Sequence, residues 1–156
     1  MLIHFTRLVP TACLPYYATE GSACVDFFSS PDWPDDDVEY ALRNPDSQVQ
    51  RKLIIPTGIA VQLPPGYVML VFSRSGHGFK HDVRLANCVG VIDSDYRGEI
   101  KVALTKDTRE PWPESIFSRG KAIAQGLVIP APQFPWCEVD ELDPTARGEG
   151  GFGSTD

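Results

Sequence analysis

A chain of 156 residues fits one domain with a moderate core, and 14 prolines with 13 glycines scattered along it argue against long helices and for short strands joined by turns. Its formal charge of −7 excludes a general nucleic-acid binder, whose footprint is a basic patch, and leaves any anionic ligand dependent on local cations or a metal. No run approaches the ~18 apolar residues of a membrane span.

Residues 1–15 lack the basic-then-apolar order of a secretion signal. The cysteines at 13, 24, 88 and 137 form no C-x-x-C pair and have no histidine at zinc spacing, so reduced, mostly buried thiols are expected. The reading is a cytoplasmic protein with no nucleic-acid and no membrane partner.

Residues 2–8 alternate loosely and end at Val9-Pro10, which predicts an opening strand. The chain then passes through Gly21 into Cys24-Val25-Asp26-Phe27-Phe28, where Asp26 stands among apolar neighbours. On spacing alone that carboxylate is as readily a turn cap as a functional group. Residues 29–50 form an acidic, proline-rich insert, in which Asp35-Asp36-Asp37 reads as the solvated start of a short helix over 38–43 rather than as a metal site.

Strand signals then come quickly, at 53–55, 59–63 and 67–72, separated by Pro56-Thr57-Gly58 and Pro64-Pro65-Gly66. This punctuation predicts an all-β sandwich or barrel. Ser73-Arg74-Ser75-Gly76 follows, and a short helical turn is expected to carry His77, Lys80 and His81. The i, i+4 histidines lack a third ligand nearby and are read as structural or surface groups.

Residues 87–99 are the most decorated stretch. An apolar run over 88–92 stops at Asp93-Ser94-Asp95, and after Gly98 alternation resumes with Ile100, Val102 and Leu104 on one face, the pattern of a hairpin. Asp93, Asp95, Tyr96 and Arg97 crowd its turn where one Asn-Gly pair would suffice, and connecting loops are where binding and catalytic groups concentrate. Beyond a charged loop around Trp112, residues 122–129 alternate into a strand ending at Pro130. Residues 132–145 read as an arm that packs on a neighbour or on the core.

The tail from Arg147 to the end has too little apolar surface to order itself alone. It nevertheless carries a guanidinium, the Phe152 ring and the Ser154 and Thr155 hydroxyls among glycines that let backbone N–H groups approach a phosphate. A single domain over 1–146 and a flexible closing tail over 147–156 are therefore expected.

Five strings resemble, in order, the motifs of the trimeric deoxyuridine triphosphatases (dUTPases): Ala18-Thr19-Glu20-Gly21-Ser22-Ala23-Cys24-Val25-Asp26, Ser73-Arg74-Ser75-Gly76, the 87–99 stretch, Gly120-Lys121-Ala122-Ile123-Ala124-Gln125, and Arg147-Gly148-Glu149-Gly150-Gly151-Phe152-Gly153-Ser154-Thr155. Each alone is weak; five in order are not. The resemblance implies an all-β antiparallel jelly roll, a homotrimer with sites built from several subunits, and hydrolysis of dUTP to dUMP and pyrophosphate, which limits uracil in DNA and supplies dUMP for thymidylate synthesis.

It further implies roles for single residues. Arg74, Ser75, Gly76 and Gln125 contact phosphates, since guanidinium, hydroxyl and carboxamide donate to oxyanions without changing protonation. Asn87, with the backbone of Gly90, Val91 and Ile92, reads the acceptor-donor-acceptor edge of uracil, a test that cytosine fails by leaving buried groups unpaired. Tyr96 packs on the deoxyribose and leaves no space for a 2′-hydroxyl. Asp93 is the general base that activates water against the α-phosphorus.

Asp26 meets phosphate-bound Mg²⁺ through water, and Arg147, Phe152, Gly153, Ser154 and Thr155 close the site. Asp95 is expected to shape the turn through backbone N–H groups. Four positions depart from the family pattern: Ala122 for Arg, Cys24 for Gly, Ser73 for Pro and Ala86 for Gly. Two rival readings are a deoxycytidine triphosphate deaminase, expected to lack the Asp93 turn and the tail, and a regulatory module that meets a protein partner through the insert at 29–50.

Overall fold

The computed structural model describes residues 2–32, 52–107, 112, 116, 118 and 120–151. The helix expected at 38–43, most of the 29–50 insert and the tail residues Phe152, Gly153, Ser154 and Thr155 lie outside the described residues.

Strands form where apolar side chains alternate between proline and glycine stops: β1 (His4–Arg7), β2 (Tyr16–Tyr17), β3 (Val25–Phe28), β4 (Lys52–Pro56), β5 (Ile59–Gln62) and β6 (Tyr67–Phe72). After the short helix α1 (Ser75–His81) come β7 (Val83–Leu85), β8 (Gly90–Ile92), β9 (Lys101–Lys106) and β10 (Ala122–Pro130). Every ladder is antiparallel. One sheet has the order β2-β3-β10-β6-β8, a second β4-β9-β7, and β1 pairs with β5. The expected all-β architecture is what these residues build.

The core lies where the period-2 patterns face inward. Leu53 and Ile55 of β4 stand opposite Leu104 and Val102 of β9, and all four are buried. Phe27, Met69, Val71 and Ile123 close the same core from the larger sheet. The 132–145 arm contributes nothing to it: Trp136 is 101% exposed, and no strand or helix forms there. Of the two placements open to this arm, packing on its own core is not the one adopted.

The hairpin expected between 88–92 and 100–104 is not a ladder. Ile100, Val102 and Leu104 do face the core, but β8 pairs with β6, while β9 pairs with β4 and β7. The short strand β7, which no sequence pattern marks, takes the place next to β9, and the pairing continues as Ala86 donates to the Ala103 carbonyl at 2.8 Å. Residues 87–99 thus connect two sheets.

The turn from β4 to β5 anchors that connection. Gly58 has φ +68°, and a Cβ there would lie 2.8 Å from both the Ala12 Cβ and the Val9 Cγ2, so only glycine fits. Thr57 is fully buried; its Oγ1 donates to the Ile100 carbonyl at 2.7 Å and accepts from the Ile59 N–H at 3.2 Å. Replacing Thr57 by Val keeps the shape but leaves both backbone groups without this partner. Thr57→Val should therefore destabilise the protein by about 1–3 kcal/mol. Urea unfolding measures this, and an unchanged midpoint would contradict it.

Candidate functional site

Strand β10 is the middle of the larger sheet and collects one group of site residues. Gln125 stands opposite Asp26 of β3 on one side and Phe72 of β6 on the other. The chain leaving β6 then delivers Ser73 and Arg74, and α1 opens with Ser75 and Gly76. Asp26, Arg74, Ser75, Gly76 and Gln125 line one cleft of about 420 Å³, with Ser22 and Cys24 from the first motif. Five residues singled out separately by sequence therefore converge.

Electrostatics within this cleft are already arranged. Arg74 Nε lies 3.3 Å from Asp26 Oδ1, and Arg74 Nη1 donates to the Ala122 carbonyl at 2.9 Å. The Asp26 side chain is only 15% exposed, against 35% for Arg74. Two of the guanidinium nitrogens are thus engaged by the protein, and the Nη2 pair has no partner among the described residues. Ala122, which departs from the family pattern, takes part through its carbonyl.

Ser73 binds on both sides. Its carbonyl accepts from Gln125 Nε2 at 2.9 Å, and its hydroxyl accepts from the Leu85 N–H at 2.8 Å. A proline at this position would have no hydroxyl for the second bond. Neither this link nor the Ala122 carbonyl was named from sequence.

Asn87, Gly90, Val91 and Ile92 line a second, smaller groove of about 130 Å³ together with residues 100–103. Cys88 holds the left-handed φ of +62°, and Val89 donates to the Asn87 carbonyl at 2.7 Å, so a tight turn lifts the exposed Asn87 clear of β7. Gly90 lies against Val71, whose Cβ would be 3.1 Å from any added Cβ.

Asp93 and Tyr96 line neither cleft. Asp93 is exposed at the tip, where its carbonyl accepts from the Tyr96 N–H at 3.2 Å. The turn is shaped by Arg97, whose Nη1 donates to the carbonyls of Ser94 at 2.7 Å and Tyr96 at 2.9 Å. The Asp95 side chain, expected to do this, makes no hydrogen bond among the described residues.

The β8 register separates Asp93 from the first cleft. Ile92 stands opposite Met69 and Gly90 opposite Val71, so the chain leaves β8 toward the start of β6 while Arg74 lies beyond its end. From Met69 to Arg74 an extended chain advances about 17 Å. One copy does not bring the Asp93 carboxylate to a group held at Arg74. In the tail, Arg147 Nε donates to the Gly150 carbonyl at 2.8 Å, within its own turn.

His77 and His81 sit one turn apart on α1. Burial of the His77 ring, with the Arg74 and His81 charges nearby, holds it below its ordinary value and keeps it neutral near pH 7.

Compared with known proteins, the chain matches a family model described as dUTPase over residues 40–156. A deoxyuridine 5'-triphosphate nucleotidohydrolase of Dictyoglomus turgidum is 43% identical over 142 residues, covering 91% of this chain and 89% of that protein. One from Caulobacter vibrioides is 41% identical over 157 residues, covering 99% and 94%. Among solved structures, a mutant dUTPase of Staphylococcus bacteriophage 80alpha with dUpNHpp has a TM-score of 0.75 at 24% identity, covering 99% of this chain and 98% of that one. A mutant dUTPase from phage phi11 of S. aureus, described with a structural Mg(II) ion, has a TM-score of 0.69 at 20% identity, covering 92% and 100%. These two likenesses carry the fold, an antiparallel jelly roll.

An unfolded histidine takes up a proton below about pH 6.5, which the folded state resists, so folded stability is retained above that value and lost as pH falls through the lowered folded pKa. His77→Gln should lose less melting temperature than the parent between about pH 7 and pH 5. Equal losses in both proteins would contradict the assignment.

Proposed function

The chain belongs to the dUTPase family and is a hydrolase of dUTP, and from that premise we propose that Asp93 activates the attacking water and that each site is completed between copies in a homotrimer. The observation that carries this reading is the β8 register, which leaves the phosphate-binding group and the Asp93 tip at opposite ends of β6. In a closed ring of copies, the tip of one chain meets the cleft of the next. The uncovered arm with Trp136 supports the same assembly, since an apolar surface of this kind calls for a partner.

Each part then has a task. Arg74, whose Nη2 pair has no partner among the described residues, Ser75, the Gly76 backbone and Gln125 hold the triphosphate in the first cleft. Asn87 and the Gly90, Val91 and Ile92 backbone read uracil in the groove beside β9. Tyr96 takes the deoxyribose. The Asp93 carboxylate accepts a proton from water as the water oxygen bonds to the α-phosphorus, and the bond to the bridging oxygen breaks, releasing dUMP and pyrophosphate. General-base assistance of this kind is worth about 10²–10⁴ in rate. The tail, through Arg147, Phe152, Gly153, Ser154 and Thr155, closes over the nucleotide.

Magnesium fits the residues present. Among the described residues, Asp26 is the one carboxylate lining the cleft, and no group of three or more metal-ligating side chains forms. Mg²⁺ is typically bound by one or two carboxylates, retained waters and substrate phosphates, so Asp26 would hold it through water. When bound, it supplies charge neutralisation on the leaving pyrophosphate.

No helix among the described residues is long and apolar enough to cross a membrane, and a cytoplasmic location is part of the proposal. Pyrophosphate release should be fast with dUTP and slow with the thymine and cytosine deoxynucleotides. Ammonia release from dCTP would favour the deaminase reading. Asp93→Asn should lower turnover by about 10²-fold or more while nucleotide affinity by calorimetry stays within a few-fold. Parental turnover in that variant would end the assignment.

A further inference from the structure

Gly98 follows the Tyr96 turn without adopting a left-handed φ, so its backbone makes no demand for glycine. Space makes that demand. A Cβ on Gly98 would collide with Tyr96 Oη and lie 2.5 Å from Cζ and 2.9 Å from Cε2. The tyrosine ring is folded back over the bare Cα, and its hydroxyl donates to the Glu99 carbonyl at 3.0 Å.

The Glu99 end of this clamp is fixed. Its carboxylate accepts the Gly58 N–H at 2.8 Å, and the next residue, Ile100, donates to the Ile59 carbonyl at 2.9 Å. A ring that is 44% exposed in a polar turn is therefore held in one pose by a missing Cβ and one hydrogen bond to an anchored strand end.

We infer that Gly98 is a positioning residue, which sets the tilt of the Tyr96 ring and through it the preference for deoxyribose over ribose. This rests on the reading of Tyr96 as the ring against the sugar. The three atoms nearest a methyl at 98 all belong to the far end of one exposed side chain, which can swing away more readily than backbone can shift. The sugar then loses its wall, and the volume that excludes a 2′-hydroxyl opens. A displacement of about 1 Å in such a group is enough to cost roughly 10²-fold in rate.

The test compares kcat/KM for dUTP and UTP in the parent, Gly98→Ala and Tyr96→Phe, with melting temperatures alongside. Gly98→Ala should melt within about 4 °C of the parent. It should also contract the dUTP-over-UTP ratio by roughly 10 to 10²-fold. Tyr96→Phe, which keeps the ring and deletes only its hydroxyl bond, should contract the ratio by less; if Gly98→Ala does not fold, the Tyr96→Ala/Gly98→Ala double variant decides, since it should fold once the colliding ring is gone, and its failure to fold where Tyr96→Ala alone folds overturns the inference. A folded Gly98→Ala with the parental ratio overturns the inference while leaving the hydrolase reading intact. A parent protein that releases no pyrophosphate from dUTP overturns both.

Discussion

The constraint on which the rest of the structure depends is the pairing of β8 with β6. Gly90 opposite Val71 and Ile92 opposite Met69 determine which way the chain points when it leaves the sheet. A slip of one residue would turn every side chain of β8 to the other face. The close approach of Gly90 to Val71 resists such a slip, because any residue with a Cβ moved into that place would press on the valine. With this register, the Asp93 tip and the Arg74 guanidinium beyond the end of β6 face different places, and the proposed mechanism, which uses both, calls for more than one chain.

The remaining architecture supports two separate surfaces. On one, Asp26, Gln125 and Arg74 are brought together by three neighbouring strands, and the Arg74–Asp26 pair keeps the guanidinium extended across the cleft. On the other, the β4–β5 turn grips the far end of the 87–99 connection through Thr57 and Glu99. Ser73 joins the two, since its carbonyl steadies Gln125 and its hydroxyl accepts from the strand that leads into Asn87. Each bond is worth only about 1 kcal/mol net, so their importance lies in orientation more than in stability.

Much of this was legible in the sequence because it depends on local chemistry. Proline and glycine stops marked β4, β5 and β6 closely, and the alternation at Ile100, Val102 and Leu104 correctly reported which face is buried. The resemblance carried by three of the motifs also picked out Asp26, Arg74, Ser75, Gly76 and Gln125, which the fold brings into one cleft. Pairing partners were another matter. Alternation records burial and is silent on which strand lies alongside, so the expected β8–β9 hairpin gave way to β6–β8 and β7–β9. Backbone acceptors carry no signature either: the Ala122 carbonyl serves Arg74, and carbonyls at Ser94 and Tyr96 let Arg97 do what Asp95 was expected to do.

The central claim, that base and phosphate cleft come from different copies, is tested most directly by mixing two crippled chains. Asp93→Asn and Arg74→Ala, each inactive alone, are denatured together, refolded at equal amounts and assayed for pyrophosphate release from dUTP. Random trimers then regain intact sites wherever an Asp93-bearing chain faces an Arg74-bearing neighbour, about a quarter of the parental number. Recovery near that level is the predicted result. A mixture as inactive as its components, in the presence of demonstrated mixed trimers, would contradict the account.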